Sequence, residues 1–259
     1  MIALAALVGD AACDLHPERS MAINYESTRA TLSACQEAGV QRLVFASSCS
    51  VYGANGNDLL REDSHLNPVS LYARTRLMSE DLLLRKARWV EVVILRLATV
   101  CGVSPRMRFD LMVNTMTACA AAQGAIRVSG AAQWRPHVHV QDAAEAFALA
   151  LEARDAVGGI FNVGSDEQNF TVGEVAEKVA GHVAGVRVEH SPNGGDARSY
   201  RVSFERICGV LGFRTTRTVD DAIKEVEQLL ASGTVRDFTN PRFHNAKWLS
   251  TNGKHQGVA

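Results

Sequence analysis

The sequence predicts an α/β protein with a doubly wound parallel sheet, and two observations carry this prediction. Short apolar runs alternate with segments of helical periodicity through residues 1–100. The apolar runs are continuous, which is typical of parallel strands that are covered by helices on both faces. Such sheets bind their ligands at the carboxyl ends of the strands, so we expect the functional residues there.

Three strands and two helices are predicted in this first part of the chain. The strands are MIALAAL at residues 1–7, VQRLVFASS at 40–48 and the β-branched run VEVVILRLATV at 90–100. One helix covers residues 19–38 and ends at Gly39. The second covers 68–87, where Leu71, Met78 and Leu82 recur at helical spacing.

From about residue 103 the pattern changes to shorter, mixed elements. Residues 125–153 contain a short strand, a turn, an extended stretch and a helix, and further strands are predicted at 158–165 and 186–190. The remaining predicted helices are 104–124, 170–183, 204–213 and 218–233. We therefore expect a sheet domain over 1–105, a smaller α/β C-terminal lobe over 106–240, with about 131–165 returning to the sheet domain, and a poorly ordered tail over 241–259.

Composition excludes several classes of function. The 259 residues are 47% hydrophobic and 21% charged, with 27 basic and 28 acidic residues. This balance argues against nucleic acid or a membrane surface as a partner. The six cysteines show no CxxC spacing, which favours a reduced, cytoplasmic protein without a zinc site. The apolar start is interrupted by Asp10, so neither a signal peptide nor a membrane span is expected.

Two segments at strand or helix ends carry hydroxyl and cationic groups. FASSCSVYG places Ser47 and Ser48 at the end of a strand, and SLYARTR places Tyr72 and Arg76 one helical turn apart. Oxidising a secondary alcohol requires removal of a hydroxyl proton, and a nearby cation favours the phenolate that can accept it. A serine hydroxyl can orient the reacting oxygen. The alternative is a half-buried helix tyrosine, with Arg76 on a solvated face.

Six motifs occur in the order known from one family. They are ALAALVGD, INYESTRATLSAC, GVQRLVFASSCSVYG, NPVSLYARTRLMSE, LRLATVCG and RPHVHVQDAAEA. Together they resemble the NAD-dependent epimerase/dehydratase family of the extended short-chain dehydrogenase/reductase superfamily, whose members modify nucleotide sugars. The chain departs from the family pattern at three positions, because Ala3 stands for a histidine, Arg76 for a lysine and Cys101 for a tyrosine.

The resemblance implies a Rossmann-like fold and a nucleotide-sugar epimerase or ketoreductase that uses NAD or NADP. Tyr72 would be the general acid/base, Ser48 would hold the reacting sugar oxygen, and Arg76 would stand in for the catalytic lysine. The cofactor would contact Tyr72, Arg76, Ser47 and Ala5. Arginine is longer and planar, so we expect an altered cofactor contact at Arg76.

The serine loop narrows the reaction further. Dehydratases and decarboxylases of the family carry carboxylates directly after the active hydroxyl, whereas Cys49 and Ser50 stand there in this chain. A C4-epimerase or ketoreductase pattern therefore fits better. Cys49 lies one place away from the thiol of the family's 3,5-epimerases, so we expect it to pack at the strand end.

The resemblance also implies a substrate site in the C-terminal lobe. Arg135, Arg198 and Asn114 match positions that contact the nucleotide diphosphate, and a guanidinium suits phosphate oxygens. For the arginines, the alternative is a solvated surface cation. His137 and His139 share a segment without a third metal ligand at suitable spacing, so we interpret them as structural. The family's dimers imply a homodimer that pairs helices 19–38 and 69–88.

The family's glycine-rich dinucleotide turn has no counterpart in the sequence. A Gly-x-x-Gly-x-x-Gly motif is absent, and Met1 aligns with the start of the family's fourth strand. We therefore expect an N-terminally incomplete sheet and weak or no NAD binding. The alternative function is a catalytically silent or truncated relative that binds a nucleotide sugar or a protein partner.

Overall fold

The protein is described by a computed structural model, which covers residues 1–191 and 198–252. The strands are Ile2–Ala3 (β1), Arg42–Ser48 (β2), Ala54–Leu60 (β3), Glu91–Leu97 (β4), Thr99–Cys101 (β5), Ala125–Ser129 (β6), Trp134–His139 (β7), Ile160–Val163 (β8), Asn169–Thr171 (β9), Arg187–Ser191 (β10) and Ser199–Val202 (β11). The α-helices are Asp10–Leu15 (α1), Pro17–Met21 (α2), Ser27–Glu37 (α3), Leu71–Lys86 (α4), Met112–Gln123 (α5), Val140–Glu152 (α6), Val172–His182 (α7), Glu205–Leu211 (α8), Val219–Ala231 (α9) and Asn245–Asn252 (α10).

The main sheet is parallel, as the sequence predicts. Its strand order is β1-β2-β4-β8, and each neighbouring pair runs in the same direction. The central strands β2 and β4 are buried because helices cover both faces. Leu32 of α3 and Leu83 of α4 pack on one face, and Ala146 and Phe147 of α6 pack on the other. The fold class is therefore confirmed as a doubly wound α/β sheet.

A second core lies in the C-terminal half of the chain. It joins α5, α7 and α9 to β6, with Val113, Val175 and Ile223 among its fully buried side chains. Smaller sheets complete this half: β5-β7-β9, in which β9 is antiparallel, and the parallel pairs β6–β10 and β3–β11. The division of the chain into a sheet domain and a substrate lobe stays a prediction.

The predicted helix at residues 19–38 has an irregular centre. Residues Ala22–Glu26 form a π-helical stretch between α2 and α3. Asn24 lies in this stretch with its side chain fully buried. Its Oδ1 accepts a hydrogen bond from the Leu7 amide at 2.7 Å and its Nδ2 donates to the Leu7 carbonyl at 3.0 Å. A π-bulge often marks a functional site, and here it fixes the loop that follows β1.

Two sequence-based expectations are wrong, and one strand was not predicted. The helix predicted over 104–124 begins only at Met112, because the backbone of Phe109 is bound to Phe243 instead, with its amide 3.0 Å from the Phe243 carbonyl. The strand without a prediction is β3, which pairs with β11. The part of the tail at 241–252 is ordered: Pro241–Phe243 form a 3₁₀ turn and α10 follows. None of the helices in the described ranges has both the length and the apolarity to cross a bilayer.

Candidate active site

Ser48 and Tyr72 lie where β2 ends and α4 begins. Ser48 is the last residue of β2, and its hydroxyl accepts a hydrogen bond from the Ser50 amide at 3.2 Å. Ser70 caps α4 by accepting from the Ala73 amide at 3.2 Å, which places Tyr72 in the first turn of the helix. Both elements therefore deliver their hydroxyls to the carboxyl edge of the sheet.

The side chains of Ser48 and Tyr72 lie close enough for the Ser48 hydroxyl to lower the pKa of the Tyr72 phenol. Burial raises the pKa of the Tyr72 phenol above its usual value of 10.0. The charges of Arg76 and Arg108 and the Ser48 hydroxyl all act in the opposite direction, but they do not outweigh burial. Arg76 thus favours the phenolate, as expected, but burial outweighs it and the net shift of the Tyr72 pKa is upward.

Arg76 is buried beneath Tyr72 and does not lie on a solvated face. Its side chain is 2% exposed, and its guanidinium carbon lies 5.7 Å from the ring centroid of Tyr72 and 5.3 Å from that of Phe45. Its Nη1 donates to the Ala46 carbonyl at 3.2 Å and its Nη2 to the Asn24 carbonyl at 3.4 Å. Burial lowers the pKa of Arg76. The cation therefore acts on the face of the Tyr72 ring.

Ser47 faces away from Ser48 into a buried polar network. Its hydroxyl donates to the Glu80 carboxylate, which also accepts from Arg96 at 2.7 Å. Arg96 in turn donates to the Tyr52 hydroxyl at 3.1 Å. Glu80 and Arg96 are each 2% exposed. Because the Ser47 hydroxyl is used in this network, the geometry favours a structural role over the predicted cofactor contact.

The two arginines predicted to bind the diphosphate, Arg135 and Arg198, are in contact. Arg135 is 5% exposed, and its Nη1 donates to the Arg198 carbonyl at 2.6 Å and to the Trp134 carbonyl at 2.8 Å. Arg198 forms an ion pair with Asp10, the first residue of α1. The structure thus brings Arg135 and Arg198 together, and it adds a carboxylate that the sequence did not single out.

Asn114 and Ala5 differ in their accessibility. Asn114 is 1% exposed, and its amide group bonds to the amide and carbonyl of Gly102 at 3.0 and 3.2 Å and to the Arg108 carbonyl at 3.0 Å. It therefore ties the loop after β5 to α5, and its side chain is not free for substrate in this arrangement. Ala5 is exposed in the loop after β1.

The residues interpreted as structural are all buried. Cys49 is 1% exposed, its thiol donates to the Arg96 carbonyl at 3.2 Å, and burial raises its pKa. His139 bonds Glu225 of α9 at 2.9 Å. His137 is fully buried, and burial lowers its pKa to about 4. Within the described residues, no three or more His, Cys, Asp or Glu side chains are grouped to hold a metal ion.

Three residues near this site were missed by sequence reasoning. Asp10 pairs with Arg198, Asn24 fixes the loop after β1, and Arg108 contributes charge at Tyr72. The only sequence signal for Asp10 is its position directly after a predicted strand. Arg108 lay inside a segment interpreted as helix, so its place in a loop at the site was hidden.

A family model matches the part of the chain that contains this site. The model of the "NAD dependent epimerase/dehydratase family" matches residues 1–164, which include Ser48, Tyr72, Arg76 and Arg135. The chain belongs to this family.

Curated relatives agree with this membership. The uncharacterized UDP-glucose epimerase YtcB of Bacillus subtilis (strain 168) is 30% identical over 148 residues, which is 56% of this chain and 46% of that protein. The UDP-glucose 4-epimerase of Azospirillum brasilense is 32% identical over 145 residues, 49% of this chain and 42% of that protein. The chain thus spans less than half the length of either relative.

Solved structures share the Rossmann-like fold over most of this chain. MoeE5 in complex with UDP-glucuronic acid and NAD superposes with a TM-score of 0.78 at 29% identity, over 89% of this chain and 79% of that one. RMD from Pseudomonas aeruginosa complexed with NADPH superposes with a TM-score of 0.79 at 21% identity, over 89% of this chain and 80% of that one. The second likeness shows the fold alone.

Proposed function

We propose that this chain carries the proton-transfer site of a nucleotide-sugar epimerase or ketoreductase, with Tyr72 as general acid/base and Ser48 orienting the sugar oxygen. The proximity of these two side chains, where β2 ends and α4 begins, carries the proposal. A substrate oxygen bound between them would lie within reach of both hydroxyls. Family membership supports the same chemistry.

The direction of the pKa shift sets the resting state of the pair. Because burial keeps Tyr72 protonated at neutral pH, the phenol is ready to give its proton to a developing alkoxide. In this reductive direction Ser48 donates to the same oxygen and stabilises the charge that forms there. In the oxidative direction Tyr72 must first lose its proton, and the nearby Arg76 charge favours that loss.

A nicotinamide dinucleotide would supply the hydride acceptor, and the predicted contacts fit it only in part. Tyr72 is half-buried and Ala5 is exposed, so both can meet a ligand. Arg76 and Ser47 are buried with partners of their own. NAD or NADP remains the proposed cofactor, and the contacts of Arg76 and Ser47 are structural.

The proposed substrate is a nucleotide sugar, whose diphosphate would meet Arg135 and Arg198. The Arg135 guanidinium bonds the backbone carbonyl of Arg198, and the Arg198 guanidinium pairs with Asp10, a carboxylate that it can exchange for a phosphate. The relative named as UDP-glucose 4-epimerase and the MoeE5 complex support this class of ligand. Asn114 would act by holding the loop after β5.

A second candidate is a silent relative that binds a nucleotide sugar without turnover. One observation favours it: Arg76 is 2% exposed and each of its terminal nitrogens already donates to a backbone carbonyl, so it offers a ribose less than an accessible lysine would.

A homodimer that pairs helices 19–38 and 69–88 is also proposed. Light scattering at micromolar concentration tests the dimer, and a monomer would contradict it.

The function is tested by adding NAD and a panel of UDP-, GDP- and dTDP-sugars to the chain and following interconversion at the sugar carbon. We expect turnover that Tyr72→Phe reduces at least roughly a hundredfold, the usual contribution of general acid/base catalysis. Ser50→Ala is the matched control, because its hydroxyl lies in the same turn without a partner. Binding without turnover, measured by calorimetry, would favour the silent relative.

A further inference from the structure

Arg108 lies in the loop between β5 and α5, and its backbone is fixed from two sides. Its carbonyl accepts from the Asn114 side chain at 3.0 Å. The next residue, Phe109, donates its amide to the Phe243 carbonyl at 3.0 Å. The Phe109 ring is fully buried and packs edge-on against Phe243 at 5.5 Å. Arg108 is therefore held on a rigid support, although it belongs to a loop.

The side chain of Arg108 points at the start of α1. A Cβ at Gly9 would lie 3.8 Å from its Nη2. Gly9 has a φ of 101°, a backbone conformation that residues other than glycine rarely adopt. Because glycine has no side chain, the Arg108 guanidinium can approach the backbone here. The next residue, Asp10, holds Arg198, and α1 packs on α4, which carries Tyr72. Arg108 thus lies next to the residue that precedes Asp10, and its charge also acts on Tyr72.

Arg108 has donors to spare. Asp110 accepts from its Nε at 2.9 Å, and within residues 1–191 and 198–252 its two terminal nitrogens have no hydrogen-bond partner. These two nitrogens are not buried, so they are accessible to solvent. In contrast, each terminal nitrogen of Arg76 donates to a backbone carbonyl. Two terminal nitrogens without a protein partner on one guanidinium suit a phosphate.

A clamp at Asn245 keeps this orientation. The Asn245 amide donates to the second Asp110 oxygen at 2.8 Å, and its side chain donates to the Val8 carbonyl at 2.9 Å. The same side chain accepts from Arg106 at 3.0 Å. The start of α10 therefore joins the loop before α1 to the loop that carries Arg108. These hydrogen bonds fix the distance between the two loops.

We propose that Arg108 is a further ligand-binding residue of this site and holds a phosphate group through its two free terminal nitrogens. This inference deepens the proposed function and rests on it for the identity of the ligand. The phosphate belongs either to the nucleotide sugar or to the dinucleotide, and both offer the same oxygens. Asn245 is a positioning residue that acts on Arg108 through Asp110.

The test compares the wild-type chain with Arg108→Ala, Arg108→Lys and Arg127→Ala by calorimetry with three probes: UDP-glucose, NAD and inorganic pyrophosphate. Arg127 is the matched control, because it is an arginine that is 89% exposed on β6 and pairs only loosely with Glu189. We expect Arg108→Ala to weaken at least one probe by about tenfold or more, the scale of a charged hydrogen bond, with partial recovery in Arg108→Lys.

The three probes separate the two claims. If UDP-glucose weakens, the phosphate is that of the nucleotide sugar; if only NAD weakens, it is that of the dinucleotide, and either result supports the inference. If the wild type binds pyrophosphate through Arg108 but no nucleotide sugar, the proposed substrate fails and the phosphate site stands. Equal affinities of wild type and Arg108→Ala for all three probes overturn the inference, as does a wild type that binds none of them.

Discussion

Tyr72 lies close to Ser48, although Ser48 ends a strand and Tyr72 stands in the first turn of a helix. The sheet makes this possible, because a parallel strand and the crossover helix that follows it leave their functional ends at the same edge. Arg76 lies under the phenol ring and Arg108 beside it. The pair thus has charge nearby.

The first prediction concerns the titration of Tyr72. The Ser48 hydroxyl lowers the pKa of Tyr72, whereas burial raises it more. Removing the Ser48 hydroxyl in Ser48→Ala should therefore move the pKa of Tyr72 further upward. Phenolate absorbance, taken as the difference between each protein and its Tyr72→Phe version, measures this shift. Ser50→Ala should leave the titration unchanged, and a downward shift in Ser48→Ala would contradict the assignment.

The second prediction concerns the buried pair Glu80–Arg96. Replacing Glu80 by alanine leaves the Arg96 charge without its carboxylate at a site that is 2% exposed. We expect the free energy of unfolding to fall by roughly 3–5 kcal/mol, as for other broken buried pairs. Denaturant titration measures the change. The exposed pair Asp81–Arg85 is the control, and Asp81→Ala should cost less than about 1 kcal/mol. Similar losses in both variants would argue against the network.

The third prediction concerns the ordered segment 241–252. Phe243 packs edge-on against buried Phe109 and accepts the Phe109 amide proton through its carbonyl. Phe243→Ala should lower the free energy of unfolding by about 1–3 kcal/mol, less than a fully buried phenylalanine would. Leu84→Ala, at a side chain that is 48% exposed, is the control and should be nearly neutral. Fast hydrogen exchange at the Phe109 amide in the wild type would show that this segment does not pack.

The fourth prediction concerns stability below neutral pH. Burial lowers the pKa of His137 to about 4, below the usual 6.5. Between these values the unfolded chain binds a proton that the folded chain does not, so stability is lost as pH falls from about 6.5 to 4. The contribution of His137 is up to about 3 kcal/mol. His137→Gln should flatten this part of the stability profile, whereas exposed His65→Gln should not. An unchanged slope in His137→Gln would refute the assignment.

The parallel sheet could be predicted because its strands are continuous apolar runs. Val92, Val93 and Ile94 of β4 are buried on both faces of the sheet. A short continuous run of β-branched residues is typical of such a strand. The strand β3 could not be predicted, because Asn55, Gly56 and Asp58 give it the composition of a turn and only its pairing with β11 makes it extended.

Part of the site was visible in the sequence and part was not. Helical spacing puts Tyr72 and Arg76 on one face, but it does not say whether another element covers that face. The π-helical stretch around Asn24 covers it, and its carbonyl accepts from Arg76, so the cation is buried. Arg108 reaches the site only because Phe243 and Asn245 hold its loop from a distant part of the chain. Contacts of that kind leave no local pattern.

The central claim is that Ser48 and Tyr72 act on one substrate oxygen as a unit. The most direct measurement is a double-mutant cycle on NAD-supported interconversion of UDP-glucose, with Ser48→Ala, Tyr72→Phe and the double variant. We predict that each single variant loses roughly a hundredfold or more, and that the double variant loses little beyond the larger single loss, because groups acting together are not additive. Fully additive losses, or single variants as active as the wild type, would contradict the account.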